Sequence, residues 1–114
     1  CSGTGFQWDY ERVTGTSATG REIVARARAG EIEAQEALER YISRLARAMA
    51  MVANILDPDV FVLGGGMSNV DELYARLPKA MAPYIFSDQY AVPIRKAKHG
   101  DSSGVRGAAW LWND

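Results

Sequence analysis

The stretch Asp57–Asn69, which reads DPDVFVLGGGMSN, combines a helix stop, a short apolar strand, three consecutive glycines and the start of another helix. Asp57 precedes Pro58, and the residue before a proline is disfavoured in a helix. Val60–Leu63 is apolar at every position, which indicates a strand buried on both faces, as in a parallel sheet. The order predicts bare backbone at the carboxyl end of a strand, where open α/β sheets bind ligands.

Helical periodicity accounts for most of the chain before this stretch. We predict three helices, covering residues from Ser2 or Thr4 to Gly15, Glu22–Ala29 and Glu31–Leu56. Apolar residues of the third helix recur at steps of three and four, as on a single buried face. Glutamates occupy its first half and arginines its second half. Glu36 and Arg40, which are four residues apart, are predicted to form an ion pair. The last part, Ala48–Leu56, has almost no polar face, so we expect it to be buried on several sides.

The elements after the glycines predict a further helix pair, a strand and a terminal helix. Asn69 is a candidate N-cap, since Glu72 lies at the spacing of a capping box. The predicted elements are a helix over Val70–Arg76, a second helix beginning near Pro78, a strand over Val92–Ala97 and a helix over Val105–Trp112.

The fold class that follows is α/β, helix-rich, with an incomplete sheet. A stable sheet normally needs three or more strands, and only two are predicted here. The chain of 114 residues has room for one domain, and it begins at Cys1 without a methionine. We therefore expect a fragment or one half of a larger protein, with a processed N-terminus as the alternative. Such a fragment should leave a sheet edge and the apolar face of Ala48–Leu56 uncovered. We therefore expect it to self-associate, to pair with its missing half, or to have been cleaved from that half within an already folded protein.

Composition excludes several classes of function. Net charge is −1, with 47% hydrophobic and 24% charged residues, which is ordinary for a globular domain and indicates neither a nucleic-acid surface nor an anionic membrane as partner. The lone cysteine, Cys1, cannot form an internal disulfide, which suits a reducing cytosol and predicts a cytoplasmic protein. The sequence contains neither an apolar run of about 18 residues nor a signal peptide.

The glycine loop fits known nucleotide motifs only in part. A dinucleotide fingerprint would need a third glycine where Asn69 stands, although Asp88 lies at a plausible distance for its acidic residue. A phosphate loop is excluded, because no Lys-Ser or Lys-Thr follows the glycines. Asp71 and Glu72 would repel a phosphate at the next helix N-terminus, so the uncharged adenine and ribose fit better. The alternative is a tight connection that binds no ligand.

The remaining candidate residues have simpler structural interpretations. His99 has no metal-ligating partner at suitable spacing and is interpreted as a loop residue. Asp101 is interpreted as the N-cap of the last helix. Three further sets are a basic strand edge of Arg95, Lys96 and Lys98, core or interface aromatics Trp8, Trp110 and Trp112, and the methionines Met49 and Met51. The methionines are interpreted as core residues, with an interface role as the alternative.

Three segments in the right order resemble one family. The stretch Asp57–Asn69 closely resembles the C-terminal motif of the ROK family of bacterial sugar kinases and transcriptional repressors. Gly100–Ala109 (GDSSGVRGAA) is similar to the closing loop and helix of that family. Ser2–Phe6 is similar to the segment that follows its cysteine-rich zinc motif. The likeness spans the whole chain and is greatest to the bacterial fructokinases, also called manno(fructo)kinases.

The resemblance implies a fold and a nucleotide site. Residues 1–114 would be a single C-terminal lobe of a protein with two ribonuclease-H-like domains, as in actin and hexokinase. The whole protein would transfer a phosphoryl group from Mg-ATP to the 6-hydroxyl of fructose or mannose. Gly64, Gly65, Gly66 and Ser68 would be the nucleotide-binding residues.

The resemblance also implies what lies elsewhere. The catalytic Asp, the phosphate loop and the structural zinc motif would precede Cys1, so this chain would hold no catalytic or metal-ligating residue and would be inactive alone. The family is typically dimeric, which implies a homodimer or association with the missing N-terminal half. The alternative interpretation is the sugar-sensing lobe of a ROK repressor, and only that interpretation implies nucleic acid as a partner.

Overall fold

The computed structural model describes residues 3–64, 66–85, 92–97 and 108–110. Two short 3₁₀ helices accompany four α-helices and three strands in this part of the chain. In chain order the elements are α1 (Gly3–Thr14), α2 (Gly20–Arg28), α3 (Ile32–Leu56), β1 (Val60–Leu63), the 3₁₀ helix Gly66–Asn69, α4 (Asp71–Met81), the 3₁₀ helix Ala82–Tyr84, β2 (Ile94–Lys96) and β3 (Ala108–Trp110).

The long helix α3 is the centre of the packing, as its periodicity predicted. It contacts α1, α2 and α4. The predicted stripe is buried from Ala34 to Met49, with Leu45 and Met49 completely inaccessible to solvent. The prediction was wrong for its last two residues, since Val52 is half-buried and Leu56 is exposed. Tyr41 on this stripe packs against Phe6 of α1, with ring centroids 5.1 Å apart. One face of α3 therefore holds the other helices together.

The helix ends follow local signals in the sequence. Gly15 ends α1 with φ of 74°, in the left-handed region that glycine adopts without a steric penalty. Thr19 caps α2 with a capping box, since its hydroxyl accepts from the Glu22 N–H and the Glu22 side chain accepts from the Thr19 N–H, both at 3.1 Å. Asp57 ends α3 with φ of 47°, just before Pro58 as predicted.

The described strands form a parallel sheet in the order β2–β1–β3. Phe61 of β1 lies opposite Ile94 of β2 and Ala109 of β3. The predicted terminal helix over Val105–Trp112 is therefore wrong within its described part, Ala108–Trp110, which is a strand. Pairing with β1 satisfies backbone groups along a strand edge that would otherwise stay open, and a short helix gains little stability by itself.

The region after the glycines also differs from the prediction. Asn69 does not cap a helix: it ends a 3₁₀ helix, and Val70 precedes α4 with no side-chain cap. The two predicted helices are one, since α4 continues through Pro78. Proline removes one helical hydrogen bond. Burial of Leu73, Leu77 and Met81, four residues apart, offsets that loss.

The C-terminal end of α3 is not buried on several sides, contrary to the prediction. Met51, Ile55 and Leu56 are 64%, 72% and 68% exposed, so Met51 is not a core residue, whereas Met49 is. Trp8 is 69% exposed and is not a core residue either. The three exposed side chains on α3, Met51, Ile55 and Leu56, are here called the apolar end surface. Their exposure matches the expectation that this face is uncovered.

A buried carboxylate joins α1 to α3. Asp9 accepts hydrogen bonds from Arg40 Nε and from Arg12 Nη2, both at 2.8 Å, and Arg44 lies 3.9 Å away. Arg40 therefore pairs with Asp9, and a Glu36–Arg40 pair is not among the ion pairs of the described residues. Burial raises the pKa of Asp9, but the hydrogen bonds and charges of the arginines outweigh it and lower the pKa below its ordinary value.

Replacing the buried carboxylate should weaken the fold. We expect Asp9→Asn to lower the free energy of unfolding by about 2–3 kcal/mol, because Arg40 would keep a half-buried charge without its partner. The lowered pKa stabilises the fold above about pH 4, and this contribution is lost as the pH falls through the folded-state pKa. Urea unfolding across pH should show a shallower acid dependence for the variant. Glu11→Gln, an exposed neutralisation on the same helix, should change neither quantity.

The apolar end surface provides a test of the predicted self-association. We expect the wild-type chain to sediment as a dimer or larger species, and Met51→Glu or Ile55→Glu to shift it toward monomer, because a charge cannot be buried unpaired. Ile32 is the matched control, since it is 65% exposed at the opposite end of α3. A monomeric wild type, or an equal effect of Ile32→Glu, in sedimentation velocity would contradict the prediction.

Candidate nucleotide site

The glycine loop follows β1, which lies between the other two described strands. Phe61 and Leu63 of β1 are fully buried. The Leu63 carbonyl accepts a hydrogen bond from the Ala97 N–H at 3.0 Å, which fixes the last residue before the loop to the chain after β2. The loop therefore leaves the sheet at the carboxyl end of parallel strands, the edge at which open α/β sheets bind ligands.

The four predicted nucleotide-binding residues do not share one environment. Gly66 is exposed and begins the 3₁₀ helix Gly66–Asn69, whereas Gly64 is buried. Ser68 is buried, at 7% exposure. Gly65 lies outside the described residues. Within the described part of the loop, Gly66 and Asn69 thus form the surface that a ligand could reach.

Hydrogen bonds from the following helix hold the 3₁₀ turn in place. The Tyr74 hydroxyl of α4 donates to the Ser68 carbonyl at 2.6 Å. The Val70 N–H donates to the Met67 carbonyl at 3.1 Å. Burial, followed by the charge of Asp71, raises the pKa of Tyr74, so the phenol keeps the proton that it donates. No sequence signal indicated this anchor, because it depends on which face of α4 turns toward the loop.

The charges at the start of α4 are less negative than the sequence indicated. Arg28 of α2 donates to both carboxylate oxygens of Glu72, at 2.9 Å and 2.6 Å. The hydrogen bond from Arg28 lowers the pKa of Glu72, despite partial burial. Asp71 remains exposed. The repulsion of a phosphate therefore comes from Asp71, because the negative charge of Glu72 is largely balanced by the positive charge of Arg28.

Two open cavities lie away from the glycine loop, and the sequence pointed to neither. The larger, of about 510 Å³, is lined by side chains of α3, α4 and the second 3₁₀ helix, namely Glu39, Ile42, Ser43, Ala75, Arg76, Lys79, Ala80, Pro83 and Tyr84. The smaller, of about 260 Å³, borders the Arg28–Glu72 pair. Arg76 lines both and forms an ion pair with Glu39. Neither cavity includes a residue of the glycine loop.

The other candidate residues are only partly within the described part of the chain. His99, Asp101 and Lys98 lie outside the described residues, whereas Arg95 and Lys96 are exposed on β2. Across the described ranges, no three His, Cys, Asp or Glu residues are grouped closely enough to hold a metal ion. None of the described helices is long and apolar enough to cross a membrane.

Comparison with known proteins places these features in a family. The chain is 44% identical over 110 residues to the N-acetyl-D-glucosamine kinase of Photobacterium profundum, covering 96% of this chain and 36% of that protein. It is 40% identical over 111 residues to the N-acetyl-D-glucosamine kinase of Haemophilus influenzae, covering 97% of this chain and 36% of that protein. The chain thus spans little more than a third of the length of these relatives.

A solved structure shows the same fold. The ROK hexokinase from Thermus thermophilus aligns with a TM-score of 0.72 at 24% identity, over 92% of this chain and 37% of that chain. This similarity confirms the expected helix-rich α/β fold. The ROK family itself matches residues 1–114. Because that match covers the whole sequence, the chain belongs to the ROK family.

Proposed function

We propose that this chain is the adenosine-side lobe of an ATP-dependent sugar kinase. The observation that carries the proposal is the position of the glycine loop at the carboxyl end of β1, with exposed Gly66 backbone in a ROK-family fold. Of the expected residues Gly64, Gly65, Gly66 and Ser68, the exposed Gly66 would lie against adenosine in the described part of the loop, and the buried Gly64 and Ser68 would support this wall from within. A glycine at an exposed position lets a ligand approach the main chain closely.

The charges around the loop support adenosine rather than phosphate at this wall. Asp71 is exposed in the first turn of α4, where its carboxylate disfavours an anion. Arg28 is directed to Glu72 and forms two hydrogen bonds with it, so it is not free to bind a phosphate. We propose that Mg-ATP is the phosphoryl donor. The ligands of the magnesium and of the structural zinc, and the catalytic Asp, would be residues other than those described.

For the sugar, the relatives favour a different hexose from the one that the resemblance implied. The resemblance indicated fructose or mannose, but the similar proteins are named N-acetyl-D-glucosamine kinases. We therefore propose N-acetyl-D-glucosamine as the acceptor of the phosphoryl group, at its 6-hydroxyl. The relatives also favour a kinase over a ROK repressor, and no observation on the described residues favours the repressor.

Nucleotide binding can be tested on the 114-residue chain. We expect adenosine to shift the amide resonances of Gly66 and Asn69, and Gly66→Val to weaken its affinity about tenfold, because a side chain would block approach to the backbone. Gly5→Val is the control, since a Cβ there would meet nothing within 4 Å. Unchanged affinity for Gly66→Val would remove the loop from the site.

Catalysis and sugar preference need separate assays. We expect no sugar-dependent ADP formation by the isolated chain, since phosphoryl transfer requires a metal and a base, and the family resemblance implies that the groups that supply them precede Cys1. In the native protein that carries this chain, kcat/KM should be higher for N-acetyl-D-glucosamine than for fructose or mannose. Turnover by the isolated chain, or a preference for fructose, would contradict the respective proposal.

A further inference from the structure

Gly20, the first residue of α2, packs directly against the turn that follows the glycine loop. It is buried, and a Cβ added to it would lie 3.0 Å from Met67 Sδ and 3.7 Å from Phe6 Cδ2. The first distance is shorter than ordinary van der Waals contact between carbon and sulfur. The start of α2 and the 3₁₀ helix Gly66–Asn69 therefore lie so close together that a Cβ at position 20 would require the Met67 side chain to shift by a few tenths of an ångström.

The backbone conformation does not explain the glycine at this position. The described glycines with positive φ are Gly15 and Gly30, whereas Gly20 is helical. Alanine is a better helix former than glycine, so the local structure alone would favour Ala at position 20. The lack of a side chain is thus explained by the approach of Met67 rather than by a turn.

The start of α2 cannot move away easily to make room. Thr19 and Glu22 form both hydrogen bonds of the capping box around Gly20. Ile23 and Val24, in the same turn, are buried in the core. A side chain at position 20 would therefore push on Met67 instead of shifting α2.

Met67 in turn lies within the proposed nucleotide-binding wall. Its side chain is 2% exposed, and it stands between Gly66 and Ser68 in the 3₁₀ helix. The Ser68 carbonyl accepts a hydrogen bond from the Tyr74 hydroxyl of α4. The turn therefore contacts both α2 and α4, and because Met67 is buried, a shift of its side chain would be passed on to the backbone that would face adenosine.

We propose that Gly20 is a positioning residue for the glycine loop. By leaving room for Met67, it allows the 3₁₀ helix Gly66–Asn69 to sit close to α2 and sets the position of the Gly66 backbone. The effect on the loop follows from the packing alone. The effect on nucleotide affinity rests on the proposed function.

The test is Gly20→Ala, measured without and with nucleotide. Without ligand, the amide resonances of Gly66, Met67 and Asn69 should shift in a ¹⁵N–¹H spectrum, while the circular dichroism spectrum stays that of the wild type. Adenosine affinity should fall about threefold to tenfold. In the native protein, KM for ATP should rise by a similar factor while KM for the sugar stays unchanged, a split that general destabilisation would not produce.

Two further variants separate positioning from other effects. Gly5→Ala introduces the same group into α1, where nothing lies within 4 Å, and should leave the loop resonances and the affinity unchanged. Met67→Leu has a shorter side chain of similar volume. Combined with Gly20→Ala, it should restore the loop resonances and the adenosine affinity toward the wild-type values.

The outcomes distinguish this inference from the proposed function. Unshifted loop resonances in Gly20→Ala, or a double variant that restores nothing, would overturn the role of Gly20. If Gly20→Ala shifts the loop resonances and Met67→Leu restores them, the role of Gly20 is supported whether or not the chain binds adenosine. Failure of the chain to bind adenosine would instead contradict the nucleotide site. An equal change in Gly5→Ala would also overturn it, because the effect would then not depend on Met67.

Discussion

Burial of one face of α3 is the constraint on which the rest of the fold depends. Leu45, Ala46 and Met49 on this face are completely inaccessible, and α1, α2 and α4 all pack against the helix. Each large side chain that is fully buried contributes about 1.5–3 kcal/mol. The described sheet has short strands of three or four residues, so among the described residues the helices supply most of the buried apolar side chains.

Ion pairs fix how the helices sit on that core. Asp9 joins α1 to α3 through Arg40, Arg28 joins α2 to α4 through Glu72, and Arg76 joins α4 to α3 through Glu39. Exposed pairs contribute little free energy, whereas the buried Asp9 carboxylate must be paired. The Asp9 pair therefore specifies the position of α1, and the other two contribute mainly to the orientation of α4.

The same packing determines the shape of the glycine loop. The loop leaves β1 in a buried position at Gly64, and its following turn is held by Met67 beneath α2 and by Tyr74 from α4. An exposed glycine backbone is useful to a ligand only when its position is defined. The contacts that define its position come from α2 and α4, two helices that are separated in the sequence by the whole of α3.

The sequence by itself determined the elements whose signals are local: the ends of α1 and α3, the buried stripe of α3 as far as Met49, and the strand Val60–Leu63 before the glycines. It also contained the Thr19–Glu22 capping box, which is a spacing of three residues. Only the tertiary structure decided that Ala108–Trp110 pairs with β1, that α4 continues through Pro78 and that Arg40 binds Asp9. The physical reason is that local propensity and short spacings set helix ends, whereas strand pairing, tolerance of a proline and the choice of ion-pair partner depend on which surfaces meet.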